Sequence, residues 1–190
     1  MGREKGALPF GPETMLERVL RLVEGPTGTV VVSTAAGRTV PGPHRVAYDP
    51  NDDAGPLAGL LHAAALLDTE YVFVIACDMP LLQPALIPLL GTLSEDCDGA
   101  VPVVGGRRAV TCAIYRRAAL LAVSSGFGDA AHRSLRSYVA RLDVREVDET
   151  TLRSVDPHLQ SFLPCNTPDE YQQALRLAGL PVNGQVPPAV

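Results

Sequence analysis

A short run of apolar residues that ends in an acid most constrains how this chain can fold. Residues 71–76 are largely apolar and rich in aromatic and β-branched types, and Asp78 and Pro80 follow at once. Such a run is typical of a strand that is buried on both faces of a sheet. Because ligands of open α/β sheets gather outside the carboxyl ends of the strands, Asp78 is expected to face a crevice.

The chemistry of Asp78 then has two interpretations. A carboxylate in such a crevice suits a hard cation such as Mg²⁺, which commonly takes one or two carboxylates together with substrate phosphates. Alternatively, Asp78 is an ordinary helix-capping or turn residue. The run by itself leaves both interpretations open.

Composition narrows the class of protein. The chain has 190 residues, of which 46% are hydrophobic and 19% charged, which fits one folded domain rather than a disordered chain. No apolar run approaches the ~20 residues that span a bilayer and no signal-peptide pattern opens the sequence, so no membrane partner is expected. A formal net charge of −5 argues against nucleic acid as a general partner.

The cysteines indicate a reducing compartment. Cys77, Cys97, Cys112 and Cys165 are widely spaced and form no C-x-x-C pair. Neither a zinc site nor a disulfide framework is indicated, and a cytoplasmic setting is expected.

Lys5 is the single lysine of the chain, beside fifteen arginines. A composition that favours arginine replaces lysine wherever a guanidinium suffices, so a lone lysine can mark a place that needs a compact ammonium. Chance survival near the terminus explains it equally well.

Strand and helix signals alternate along the chain. Strands are predicted at residues 29–33, 45–48, 71–76, 99–104, 109–115 and 144–147, and helices at 14–23, 56–67, 84–93, 117–124, 134–141 and 168–178. Thr14 and Glu17 have capping-box spacing, Thr167 and Glu170 repeat it, and the pair at 105–106 predicts a hairpin turn. Alternating strands and helices predict a three-layer α/β fold with a mostly parallel sheet, spanning residues 1–180, and a disordered tail at 181–190.

Five segments, in order, resemble the molybdenum cofactor guanylyltransferases, which belong to the MobA-like NTP transferases with a Rossmann-like domain. The segments are Met1-Gly2-Arg3-Glu4-Lys5, Asp49, Gly55-Pro56-Leu57-Ala58-Gly59-Leu60, Cys77-Asp78-Met79-Pro80 and Asn166-Thr167-Pro168-Asp169-Glu170. Each is weak as a pattern match, and their order makes the resemblance specific. It covers residues 1–178 and implies a three-layer Rossmann-like nucleotidyltransferase fold.

The resemblance also implies roles for particular residues. Lys5 falls on the family's phosphate-binding lysine and Asp78 on its Mg²⁺-binding aspartate, so these two are the predicted catalytic residues. Asp49 falls on a nucleotide-contacting aspartate, and Ser33 on a position where some members have an asparagine that contacts the nucleotide. The predicted nucleotide-binding set is Lys5, Ser33, Asp49, Gly55, Pro56, Leu57, Gly59, Asp78 and Asn166.

The sequence departs from the family pattern at its start. In the family, a strand and a Gly-Gly turn precede the segment that matches residues 1–5, and neither is present in this sequence. A strand lost from the middle of the sheet would leave buried backbone groups unpaired, at a cost of roughly 1–3 kcal/mol each. The chain is therefore expected to be marginally stable, or to fill the gap with another segment or subunit.

The activity that the resemblance implies is transfer of GMP from Mg-GTP to molybdopterin, which releases pyrophosphate and forms the guanine dinucleotide form of the molybdenum cofactor. Proteins that deliver molybdopterin or are associated with molybdoenzymes are the implied partners. Two alternatives remain open. One is a related transferase that uses CTP or another phosphorylated acceptor, and the other is a non-catalytic nucleotide-binding or scaffold protein that lacks the phosphate loop.

Overall fold

Helices pack on both faces of a central sheet in the computed structural model, which describes residues 5–48, 55–124 and 134–182. The described strands are β1 (Pro9–Phe10), β2 (Glu13–Thr14), β3 (Val31–Thr34), β4 (Arg45–Tyr48), β5 (Tyr71–Ile75), β6 (Gly99–Val104), β7 (Arg107–Arg108), β8 (Cys112–Arg116) and β9 (Val144–Val147). The described helices are α1 (Met15–Glu24), α2 (Gly55–Ala65), α3 (Leu86–Leu93), α4 (Arg117–Ser124), α5 (Leu135–Val139), α6 (Glu149–Leu152) and α7 (Pro168–Leu177), with 3₁₀ turns at Lys5–Ala7 and Gln160–Phe162.

The main sheet has the strand order β5-β8-β6, with β7 and β9 also paired to β6. β5 and β8 are antiparallel, as are β8 and β6, whereas β9 runs parallel to β6. β5, β6 and β9 therefore share one direction, and β8 lies between β5 and β6 in the opposite direction. The alternation of strands and helices predicted a three-layer α/β fold, and this is confirmed.

Within the main sheet, β8 runs against the direction shared by β5, β6 and β9, and the reason lies in the turn that precedes it. Gly105 and Gly106 have φ angles of 56° and 70°, a left-handed pair that suits a two-residue hairpin turn and that residues with a Cβ rarely adopt. This turn sends the chain back along β6 as β7, so the predicted hairpin is confirmed. The returning chain then enters the sheet as β8, which makes the ladders on both of its sides antiparallel.

Alternate residues of β8 face opposite layers. Cys112 and Ile114 belong to one core cluster, which contains side chains of α3 and α6. Ala113 and Tyr115 belong to another, which contains side chains of α2, α4 and α5. This period of two is what a strand covered on both faces requires.

A third cluster joins the two ends of the described chain. Leu8, Phe10 and Met15 pack there with Tyr171 and Leu175 of α7. The rings of Phe10 and Tyr171 meet edge to face, with centroids 6.4 Å apart. The segment that carries Lys5 is therefore fixed against the C-terminal helix.

The strand predicted at residues 71–76 is confirmed as β5, but it is less buried than expected. Within β5 only Val72 is fully buried, and the other four residues are half-buried. In the described part of the chain β5 pairs with β8 alone, and β3 pairs with β4 alone, in a separate parallel ladder. The expectation that a gap beside these strands is filled by another segment or subunit stays a prediction.

Helix starts follow the predicted caps. Thr14 with Glu17 and Thr167 with Glu170 both form complete capping boxes, at α1 and α7. α3 begins two residues after Pro84, at Leu86.

Of the predicted tail, residues 183–190 lie outside the described residues. None of the described helices combines the length and the apolar character that crossing a membrane requires.

Candidate active site

Three of the predicted site residues meet beyond the carboxyl end of β5. The Nζ of Lys5 lies 3.3 Å from Oδ2 of Asp78 and 2.5 Å from Oδ1 of Asn166. Lys5 opens the first 3₁₀ turn, Asp78 follows β5, and Asn166 precedes α7. Residues that are 73 and 161 positions apart in the chain thus converge on one ammonium.

The loop that carries Asp78 is held from two sides. The Asp78 carbonyl accepts a hydrogen bond of 2.9 Å from the backbone N–H of Cys165, and the Pro80 carbonyl accepts one of 3.2 Å from Nε of Arg18 on α1. The Asp78 side chain is 18% exposed and that of Lys5 28% exposed. The ion pair is therefore shielded from water in part, which strengthens it relative to a surface pair.

Asn166 is held through its backbone as well as its side chain. Its N–H donates to Oε2 of Glu170 over 2.8 Å, and the N–H of Thr167 donates to the same oxygen over 2.9 Å. The N–H of Glu170 donates in return to the Thr167 hydroxyl over 3.2 Å. The carboxylate of Glu170 thus fixes the residue that contacts Lys5.

The pKa of the buried Cys165 thiol is affected by the charged residues around Lys5. The pKa of Cys165 is raised to about 12, chiefly by burial and also by the charges of Asp78 and Glu170, while the charge of Lys5 opposes the rise. Two carboxylates therefore act on this position against one ammonium.

The donor atoms fit a hard divalent cation held together with phosphates. Oδ2 of Asp78 and Oδ1 of Asn166 already converge on a positive group, the ammonium of Lys5. Oxygen ligands are those that Mg²⁺ prefers. In the described ranges no group of three or more His, Cys, Asp or Glu side chains could hold a metal ion, so substrate phosphates would have to supply further ligands.

A second group of predicted residues lies on β3 and α2. Gly55 and Pro56 form the start of α2, Gly59 is buried within it, and Ser33 is an exposed residue of β3. Leu57 is 1% exposed and packs in the core, so only its backbone could meet a ligand. The predicted Asp49 lies outside the described residues.

Two contacts that hold these groups were not predicted from the sequence. Nδ1 of His62 on α2 donates to the Tyr48 carbonyl over 2.8 Å and so fastens the end of β4. Glu170 fastens Asn166 as described above. Its capping-box spacing was visible in the sequence, but the second N–H that its carboxylate accepts was not.

Comparison with known proteins identifies the family. The MobA-like NTP transferase domain matches residues 1–147, which include Lys5, Ser33 and Asp78. The chain belongs to the MobA-like NTP transferase family. The resemblance noted from the five sequence segments is thereby confirmed, and Asn166 with α7 lies beyond the matched range.

Two relatives match this chain over most of their length. A probable molybdenum cofactor guanylyltransferase of Methanosarcina acetivorans is 30% identical, over 90% of this chain and 82% of the relative. A molybdenum cofactor guanylyltransferase of Desulfosudis oleivorans is also 30% identical, over 91% of this chain and 86% of the relative.

Solved structures confirm the nucleotidyltransferase fold. The molybdopterin-guanine dinucleotide biosynthesis protein A of Archaeoglobus fulgidus superposes with a TM-score of 0.77 at 23% identity, covering 94% of both chains. The 2-C-methyl-D-erythritol 4-phosphate cytidylyltransferase of Thermus thermophilus gives a TM-score of 0.71 at 18% identity, covering 93% of this chain and 94% of that one.

Proposed function

We propose that this MobA-like chain is a Mg²⁺-dependent guanylyltransferase that moves GMP from GTP to molybdopterin and releases pyrophosphate. The observation that carries the proposal is the contact of Lys5 with both Asp78 and Asn166 beyond the end of β5. Relatives named as molybdenum cofactor guanylyltransferases, which match about nine-tenths of the chain, support the choice of nucleotide and acceptor.

The reaction needs positioning and charge neutralisation rather than a nucleophile from the protein. The phosphate of molybdopterin supplies the attacking oxygen, the α-phosphorus of GTP is the centre attacked, and pyrophosphate leaves. Catalysis then rests on orienting two anionic groups and on balancing their charge, as in phosphoryl transfer generally.

Each residue at the contact has a proposed task. Asp78 is the carboxylate that would hold Mg²⁺, and the metal, when bound, neutralises charge on the phosphates. Lys5 is a compact point charge on a flexible stem, which suits the charge that develops on departing pyrophosphate. Asn166 directs the ammonium of Lys5, because its side-chain oxygen accepts a hydrogen bond from it.

The nucleoside end of GTP is assigned to the residues around β3 and α2. Ser33 offers a hydroxyl, and Asp49 a carboxylate that can accept from the N–H edge of guanine or from a ribose hydroxyl. Gly55, Pro56 and Gly59 allow a close approach of backbone to the nucleoside. Leu57 contributes through the main chain, since its side chain is in the core.

The proposed setting is the cytoplasm. Cys97, Cys112 and Cys165 carry thiols in the described part of the chain, and the wide spacing of the four cysteines fits a reducing compartment. The proposed partners are molybdopterin itself and the proteins that deliver it or receive the product.

Binding of nucleotide is the first test of this proposal. The melting temperature of the chain is measured with Mg²⁺ and GTP, CTP or ATP in turn, and pyrophosphate release is then followed with molybdopterin present. Ligand at about 100 times its dissociation constant adds ~2.7 kcal/mol, a shift of several degrees for a domain of this size.

The outcomes separate the open alternatives. Stabilisation by GTP together with GTP-dependent release of pyrophosphate supports the proposal. A preference for CTP would replace guanylyl by cytidylyl transfer. Nucleotide binding with no turnover on molybdopterin would favour the non-catalytic alternative, and no shift with any nucleotide would overturn the proposal for this chain.

A further inference from the structure

We infer that Glu170 is a positioning residue of the proposed transfer: its carboxylate holds Asn166 so that the Asn166 side chain directs Lys5 toward the phosphates. The inference rests on the proposed function. It assigns a task to α7, which lies beyond the part of the chain that matches the family domain. Glu170 acts through Asn166, whose N–H its carboxylate accepts.

The first observation is an extra hydrogen bond in the cap of α7. In a capping box the N3 carboxylate accepts the N–H of the N-cap residue, as Glu17 does for Thr14 at α1. Oε2 of Glu170 accepts the N-cap N–H of Thr167 and also the N–H of Asn166. The second bond adds nothing to the first turn of the helix and instead fixes the residue before it.

The second observation is where that extra bond leads. Oδ1 of Asn166 accepts from Nζ of Lys5, and Nζ also contacts Oδ2 of Asp78. The preceding N–H, that of Cys165, donates to the Asp78 carbonyl. The backbone of residues 165 and 166 is thus tied to the loop after β5 on one side and to Glu170 on the other, which fixes the point from which the Asn166 side chain extends.

The third observation is that the helix bearing Glu170 is itself fixed to the segment bearing Lys5. The hydroxyl of Tyr171, the next residue of α7, donates to the Pro9 carbonyl, and the ring of Tyr171 packs on Phe10. Neighbouring residues of α7 therefore hold Asn166 and the chain segment that follows Lys5. A cap that served the helix alone would not need this arrangement.

Four variants separate positioning from helix stability and from charge. Glu170→Ala removes both hydrogen bonds. Glu170→Gln keeps an acceptor oxygen and removes only the charge. Thr167→Ala removes the reciprocal bond from the Glu170 N–H and leaves the carboxylate in place, and Glu17→Ala opens the equivalent capping box of α1.

Turnover is the first readout. Glu170→Ala is expected to lower kcat for pyrophosphate release by about 10–100-fold, the usual effect of removing a residue that orients a site ligand, with a smaller change in KM for GTP. Glu170→Gln is expected to keep kcat near that of the unaltered chain. Thr167→Ala and Glu17→Ala are expected to lower the melting temperature by a similar amount while kcat stays near that of the unaltered chain.

The second readout does not depend on turnover. Lys5 is the single lysine of the chain, so lysine labelled with ¹³C and ¹⁵N in its side chain reports this site by NMR. The Lys5 side-chain signal is expected to shift and broaden in Glu170→Ala and to stay unchanged in Glu170→Gln, Thr167→Ala and Glu17→Ala.

Each contrary result has a distinct meaning. If Thr167→Ala moves the Lys5 signal and kcat as much as Glu170→Ala does, Glu170 serves only the helix, and the inference is overturned. If Glu170→Gln behaves like Glu170→Ala, charge and not positioning matters, and the inference is equally overturned. If the unaltered chain shows no turnover but the NMR pattern holds, the proposed function fails while the positioning of Lys5 by Glu170 stands.

Discussion

The Nζ of Lys5 and the Oδ1 of Asn166 lie 2.5 Å apart, although 161 residues separate them in the chain. The contact lies beside Asp78, which follows β5, since Nζ of Lys5 also lies 3.3 Å from Oδ2 of that residue. A single ammonium thereby links the start of the chain, the end of a sheet strand and the entry to the last helix.

Replacement of Asp78 separates catalysis from folding. Asp78→Ala removes the carboxylate proposed to hold Mg²⁺ and is expected to lower turnover on the order of 10²–10³-fold, the scale of a lost electrostatic contact at a reacting centre. Stability is expected to change by only about 1 kcal/mol, because the bond to Cys165 uses the Asp78 backbone and partly exposed ion pairs are weak. Pyrophosphate release and thermal melting measure the two effects.

The matched control for this change is Asp68→Ala. Asp68 is exposed and lies three residues before the start of β5, on the opposite side of that strand in the sequence from Asp78. It is expected to leave both turnover and melting temperature unaltered. Full turnover in Asp78→Ala would remove Asp78 from the mechanism, and loss of the fold in that variant would make its role structural.

Lys5 is expected to resist replacement by arginine. Its ammonium contacts oxygens of Asp78 and Asn166 at once, a geometry that suits a compact point charge and not a longer, planar guanidinium. Lys5→Arg and Lys5→Met are both expected to lose turnover on the order of 10²-fold. Steady-state kinetics of pyrophosphate release measure this, and near-normal turnover in Lys5→Arg would mean that any positive charge at this position suffices.

The local signals in the sequence predicted the elements well, because their causes are local. The capping box at Thr14 needs only Glu17 three residues later, and the hairpin turn needs only two glycines that accept positive φ. The resemblance to the family predicted that Lys5, Asp78 and Asn166 belong to one site. Lys5 contacts both of the other residues in the structure, and their roles in binding and catalysis stay a prediction.

What the sequence could not give depends on distant pairing. The position of β8 between β5 and β6 depends on where the chain enters the sheet after the hairpin. The residues of β8 itself, 112–116, do not indicate which strands will lie on either side. The half-buried state of β5 likewise depends on its neighbours and not on its own apolar run. Glu170 was visible as a cap, but its bond to Asn166 exists only in the folded chain.

Leu57 tests whether a residue of the predicted nucleotide-binding set acts through packing. Its side chain is 1% exposed and lies in the cluster that joins α2 to the sheet. Leu57→Ala is expected to destabilise the fold by about 2–5 kcal/mol, the range for truncating a buried leucine. Denaturant unfolding measures the change.

Leu177→Ala is the control for this truncation, because Leu177 is 42% exposed and surface changes usually stay within about 0.5 kcal/mol. Equal stability losses in the two variants would contradict the packing role of Leu57. Loss of nucleotide affinity in Leu57→Ala without loss of stability would instead indicate direct contact with the ligand.

The turn between β6 and β7 is expected to tolerate asparagine better than alanine. Gly106 has φ +70°, and a Cβ built there meets no neighbouring atom, so the cost of a side chain is conformational and not steric crowding. Gly106→Ala is expected to cost about 1–2 kcal/mol and Gly106→Asn less. Equal unfolding free energies for the two variants would show that the turn relaxes to another conformation.

Alkaline pH is expected to destabilise the fold partly through Cys112. Burial raises the pKa of this thiol to about 12, and the charge of Asp156 adds to the shift. In the unfolded chain a cysteine titrates near pH ~8.5. Below that pH both states keep the proton and the contribution of Cys112 to stability is complete; above it the unfolded state releases the proton first, and the contribution falls until the folded thiol titrates. The free energy of unfolding is therefore expected to lose about 1.4 kcal/mol per pH unit from this thiol between its unfolded and folded pKa values.

Cys112→Ala and Cys112→Ser both remove this titration, although they differ in packing and hence in absolute stability. Urea unfolding at a series of pH values from 8 upward is expected to give the same shallower slope for both variants, ~1.4 kcal/mol per pH unit less steep than that of the unaltered chain. The difference should vanish below pH ~8, where the thiol is protonated in both states. Parallel slopes for all three proteins would mean that the Cys112 thiolate reaches water in the folded state, which would contradict its burial at the start of β8.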